Sequence, residues 1–117
     1  MIARYVQKGN AIDYRPASAV TAGDVIVQGN LVGIARLYIP AETLGALAVS
    51  GVYEIAKASE AISIGTVLYW DDTAKNVTAT AANNTYIGKA VSAAESADTA
   101  VCVLLNAPYV APVVAGQ

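Results

Sequence analysis

Asp24-Val25-Ile26-Val27-Gln28-Gly29-Asn30-Leu31-Val32-Gly33-Ile34-Ala35 is the stretch that decides the fold. Two apolar, β-branched runs flank a Gly-Asn pair. Such a pair between strands suits a type II′ hairpin, because glycine takes the first central position, where φ is positive. Val and Ile fit a pleated, half-buried surface better than a helix. The segment therefore predicts two antiparallel strands and, with them, a β protein.

Turn signals at similar intervals extend that reading in both directions. Upstream, residues 1–15 form an N-terminal arm or edge strand, with a break at Lys8-Gly9-Asn10. Downstream, residues 40–45 make a loop. From Ala46 to Ile55, Leu47, Val49, Gly51, Tyr53 and Ile55 share one face, the period of two expected of a strand with one side on a core. Gly51 predicts a gap or bulge within it. Residues 56–62 suggest one helical turn. Thr66-Val67-Leu68-Tyr69-Trp70 and Val77-Thr78-Ala79-Thr80 flank the polar cluster Asp71 to Asn76 and predict a second hairpin. Two further strands follow, Tyr86 to Val91 and Thr99 to Leu105. Pro108 and Pro112 prevent regular pairing in residues 107–117, which predicts an extended or disordered tail.

The two halves resemble each other. Thr21-Ala22-Gly23-Asp24-Val25-Ile26-Val27 parallels Ser63-Ile64-Gly65-Thr66-Val67-Leu68-Tyr69. Val32-Gly33-Ile34-Ala35 parallels Ile87-Gly88-Lys89-Ala90, and Ala46-Leu47-Ala48-Val49 parallels Ala100-Val101-Cys102-Val103. The second half carries an inserted hairpin around Asp71-Asp72. The expectation is an all-β, small single-domain protein spanning residues 16–106, a partly open β-barrel or β-sandwich. It has an internal pseudo-repeat around one core and an extended N-terminal arm. Chance similarity in an Ala-, Val- and Gly-rich chain is the competing explanation.

Composition narrows the chemistry. The 117 residues suffice for one core. Only 14% are charged, the net charge is −2, and no basic run supplies an electrostatic footprint for nucleic acid. No stretch approaches the roughly 20 apolar residues that span a bilayer, and the N-terminus lacks a signal-peptide pattern. These features predict a protein made in a cytoplasm, without nucleic-acid or membrane partners. The chain has no His, which removes the commonest general base and metal ligand. Its single cysteine, Cys102, lies in an apolar run and reads as a core residue. Catalytic residues, metal ligands and cofactor sites are therefore expected to be absent.

The remaining motifs have plain structural explanations. Asp71-Asp72 offers oxygen ligands, but a turn bonded to its own backbone explains the pair better. Glu42, Glu54, Glu60 and Glu95 are scattered and read as solvated charges. Gly88-Lys89 lacks the upstream glycine and the following Ser or Thr of a phosphate loop. Ile2, Arg4, Tyr5, Lys8, Tyr14 and Arg15 mix cations with aromatics near one end. Tyr and Arg are favoured at protein interfaces, so these six are the candidate partner contacts of a docking arm. A solvated terminus would have the same composition.

Across Tyr5-Val6-Gln7-Lys8-Gly9, Val20-Thr21-Ala22-Gly23 and Leu31 to Ala35, the chain resembles a family of small phage and prophage proteins. The likeness continues through Val49-Ser50-Gly51-Val52-Tyr53-Glu54, Gly65 to Asp71 and Tyr86-Ile87-Gly88-Lys89-Ala90, covering about Ile2 to Asn106. That family was formerly labelled as RecA/RadA-type recombinases and includes capsid cement or decoration proteins. The recombinase label conflicts with the residues, which supply neither a phosphate loop nor a doubly wound α/β pattern. The resemblance implies a homotrimer on the outer surface of a virion, bridging subunits of the major capsid protein. The tail from Ala107 departs from the family's short ending. A carbohydrate- or receptor-binding module, with Trp70 and Tyr rings as a stacking platform, is the alternative.

Overall fold

The computed structural model describes residues 2–108. Every regular element among them is a β-strand: β1 (Ala11–Tyr14), β2 (Val25–Gln28), β3 (Leu31–Ala35), β4 (Gly45–Ala48), β5 (Val52–Ala56), β6 (Val67–Asp71), β7 (Asn76–Thr78), β8 (Thr85–Ala90) and β9 (Ala100–Leu105). The chain divides into two compact units, Met1–Gly51 and Val52–Gln117. Each unit contains one antiparallel sheet. The all-β expectation holds. The tail expected over residues 107–117 lies outside the described residues from 109 onward.

In the first unit the strand order is β1-β4-β3-β2. The β2–β3 hairpin forms as its sequence predicts, with Gln28 opposite Leu31 and Gly29 at φ 62°. Alternation puts Ile12, Ile26, Ala35 and Leu47 on one face. There Val20, Ala35, Ile39 and Leu47 form a buried cluster, and Ile12, Tyr14 and Ile26 pack against it. Burying the side chains of Val20, Ile39 and Leu47 contributes roughly 1.5–3 kcal/mol each.

In the second unit the order is β5-β9-β8-β6-β7. Leu68, Val77, Ile87 and Val103 are wholly buried, and Trp70 nearly so. The sheet curls until its edges meet at one point: Lys57, just beyond β5, bridges Val77, and the Ala58 N–H donates to the Val77 carbonyl at 2.8 Å. This is a small, partly open barrel. A register shift between Leu68 and Tyr69 of β6 accommodates the curl.

The repeat is carried by the hydrogen bonds. Gly23 N–H donates to Ala35 O (2.6 Å), and Gly65 N–H to Ala90 O (2.8 Å). Ala35 N–H donates to Asp24 O and Ala90 N–H to Thr66 O, both at 3.0 Å. The reciprocal bridge of Val20 with Ile39 recurs as Ile62 with Ala94. Thus β1, β4, β3 and β2 correspond to β5, β9, β8 and β6, with β7 as the insertion. One pairing from the sequence shifts by two residues. Ala35 pairs with Leu47, and Ala90 with Val103, so Leu47 corresponds to Val103 rather than Val101. A two-residue slip keeps every side chain on its face, so alternation alone does not reveal it. Each unit has its own apolar inner face.

Two further expectations are corrected. The alternating run from Ala46 to Ile55 is two strands in two sheets, because Gly51 takes φ 106° and the chain turns out of the first ladder. Residues 56–62 contain no helical turn, since Lys57 and Ile62 are held by isolated bridges instead.

Candidate functional site

The polar motifs of the sequence are structural. Asp71 Oδ1 accepts the Thr73 and Ala74 N–H groups, both at 3.0 Å, and so closes the β6–β7 turn. Asp72 Oδ1 accepts the Lys75 ammonium (2.8 Å) and the Trp70 indole N–H (3.0 Å). The Lys75 hydrogen bond, and after it that of Trp70, holds the Asp72 carboxyl below its usual value of 3.8. Glu60 is half-buried, accepting from Thr78 Oγ1 (3.1 Å) and from the Ala79 N–H (3.0 Å). Trp70 is buried and presents no stacking platform. Gly88-Lys89 lies within β8. No group of three His, Cys, Asp or Glu side chains placed to hold a metal ion occurs among the described residues.

Sequence reasoning missed Lys57. Its residue is buried, and its ammonium donates to the carbonyls of Ala58 (3.0 Å), Glu95 (2.8 Å) and Asp98 (3.0 Å). This cation pins the loop between β8 and β9 onto the end of β5. Arg15 does the same work in the first unit, donating from Nη1 to the Glu42 carbonyl at 2.5 Å. In both units a cation just past the first strand ties down the loop that enters the strand paired with it. Nothing in a lone Lys between alanines signals that role.

The six candidate contacts fall into two groups. Ile2, Arg4, Tyr5 and Lys8 lie on an exposed arm without secondary structure. The Gln7 Nε2 amide, on the same arm, donates to the Ala11 carbonyl at 3.5 Å. Tyr14 is half-buried on β1 against the first unit's core, and Arg15 is the exposed residue bound to Glu42.

A second surface emerges only from the fold. Ala11 of β1 faces Ala48 of β4, and Asp13 faces Ala46, on the side of the sheet opposite the inner cluster. The three alanines floor a trough of about 660 Å³. Leu37, Tyr38 and Leu44 form its walls, 76%, 62% and 58% exposed, and Arg36 stands at its rim. Apolar exposure gathered around one depression marks an interaction surface, whereas scattered exposed residues do not. Cys102 also departs from its expected place: Val101 and Val103 turn into the core, so Cys102 between them faces outward and is half-exposed.

A small β protein with an apolar arm and an apolar trough has the makings of a structural docking protein. The family model for phage cement proteins matches residues 6–105, and the chain belongs to that family of structural phage capsid proteins. Neither the curated proteins nor the solved structures yield a match. The cement resemblance read from the sequence is thereby established.

Proposed function

We propose that this chain is a capsid cement protein that binds the outer surface of the shell, bridges major capsid protein subunits and works as a homotrimer. It performs no catalysis and needs no cofactor. It is made in the host cytoplasm and touches neither the packaged genome nor a membrane. The family match over residues 6–105 carries this reading. The arm supports it, because Ile2, Tyr5 and Val6 remain largely exposed within one chain, as side chains meant for a partner would be. Residues 1–15 deliver that contact, with Ile2, Arg4, Tyr5 and Lys8 meeting the shell and Tyr14 and Arg15 anchoring the arm's root. Residues 16–106 are the body. Each copy adds a modest contact, and three linked copies engage several subunits at once, so weak contacts multiply.

The test is to add purified protein to capsids lacking it. Binding is expected in a fixed ratio set by the shell's symmetry, with capsids surviving to a higher temperature once coated. Absence of saturable binding refutes the proposal.

A further inference from the structure

The repeat places the same ladder positions in both units but fills them with opposite relief. In the first unit the pair Ala11–Ala48, with Ala46 opposite Asp13, supplies the three alanines that floor the trough. Their counterparts are Val52–Leu104 and Glu54–Cys102. Where one unit has three alanines, the other has Val, Leu and Cys, with Val52 55% and Leu104 38% exposed. The flanking loops invert as well. Leu37 and Tyr38 rise beside the trough, whereas the corresponding loop of the second unit carries Ser92 and Ala93. One unit thus bears a walled depression and the other a ridge.

The charges complement each other too. Arg36, at the trough's rim, and Asp13, beside Ala46, form no ion pair or side-chain hydrogen bond among the described residues. Glu54, opposite Cys102, and Lys89, opposite Leu104, are equally unpaired on the ridge.

We propose that the trough of one copy receives the Val52–Leu104 ridge of a second copy, with Arg36 against Glu54. The two surfaces differ, so the contact runs head to tail and passes from copy to copy until a ring closes. This deepens the reading above and rests on it only in that the chain acts as an assembly of like copies.

Sedimentation and native mass measurements on the full chain test the proposal. The wild type is expected to form a closed assembly larger than a dimer. Ala46→Trp, which fills the trough from an exposed position, and Leu104→Asp, which breaks the ridge, should each give folded monomers. Leu44→Asp on the trough wall provides a second variant should Ala46→Trp melt early. Mixing Ala46→Trp with Leu104→Asp leaves one intact ridge and one intact trough, so heterodimers and nothing larger should appear. Arg36→Glu and Glu54→Arg should each weaken association by roughly tenfold or more, and the double variant should recover it. A monomeric wild type at the highest soluble concentration overturns the proposal. So does wild-type assembly by the trough variants, absence of heterodimers in the mixture, or failure of the double variant to recover. Capsid binding by the same variants separates the two ideas. If chains coat capsids while Ala46→Trp assembles normally, the cement function stands and the ridge-in-trough contact falls. If the ring forms as described and never binds capsids, the contact stands and the cement function falls.

Discussion

Lys57 shows how one side chain can tie a loop to the end of a neighbouring strand. Its ammonium is buried among three carbonyls and pairs with no carboxylate among the described residues. Lys57→Met keeps the length of the stem but leaves those carbonyls without their donor. Buried acceptors deprived of a charged partner cost about 1–3 kcal/mol each, less where water enters, so a loss of roughly 2–4 kcal/mol is expected in urea unfolding. Asp72 gives a smaller, pH-dependent effect. Its folded pKa is depressed, so its contribution is fully present above the ordinary value of 3.8 and is lost as pH falls through the lower folded value. The carboxylate is mostly exposed, and solvent screening limits the effect to at most about 0.5 kcal/mol. Melts followed by Trp70 fluorescence from about pH 6 down to about pH 2 should show the wild type losing its small advantage over Asp72→Asn in that acid range.

At the scale of strands, Gly33 and Gly88 occupy the same place in the two repeats but meet different neighbours. A Cβ on Gly33 would lie 2.8 Å from Leu47 Cβ and 3.0 Å from its Cδ1, a side-chain collision that can partly relax. Overpacking of that kind costs roughly 1–3 kcal/mol. On Gly88 the added atom would lie 2.1 Å from the Leu104 carbonyl oxygen, within the neighbouring strand's backbone. Gly33→Ala should therefore give a folded protein with a lower denaturation midpoint. Gly88→Ala should separate β8 from β9 and yield little soluble protein; equal midpoints for the two would contradict this. The hairpins and the repeat were legible in the sequence because turn residues and short apolar runs are local signals. The strand break at Gly51 was not, since the two-residue alternation runs unbroken from Leu47 to Ile55 across two sheets. β1 was hidden in the arm because Ala11-Ile12-Asp13-Tyr14 is short and contains only one β-branched residue. The trough could not be read at all. Ala11, Ala46 and Ala48 become one floor only through the β1–β4 register, a pairing between positions far apart in the chain.

For the whole molecule, the arm and the body should separate in their effects. Apart from Gln7's long contact with Ala11, no side-chain hydrogen bond holds residues 2–8 to the other described residues. Removing residues 2–8 should therefore leave the unfolding midpoint within about 0.5 kcal/mol of wild type, as expected for surface changes away from packed features. Capsid binding should respond differently. Ile2, Tyr5 and Val6 are the arm's large apolar side chains, and burying each against a partner is worth roughly 1.5–3 kcal/mol, so their loss should weaken binding by far more than tenfold per chain. An assembly loses that amount at each of its arms, which makes the deficit at the shell larger than any single-site value. Arg4 and Lys8 add a term that salt screens, and Arg4→Gln with Lys8→Gln should flatten the salt dependence of binding while leaving most of the affinity in place. Saturation binding to capsids at two ionic strengths, set beside thermal melts of the same proteins, measures both effects. A truncated chain that melts like wild type and also coats capsids like wild type would remove the arm from the docking surface and leave the body alone to make the contact.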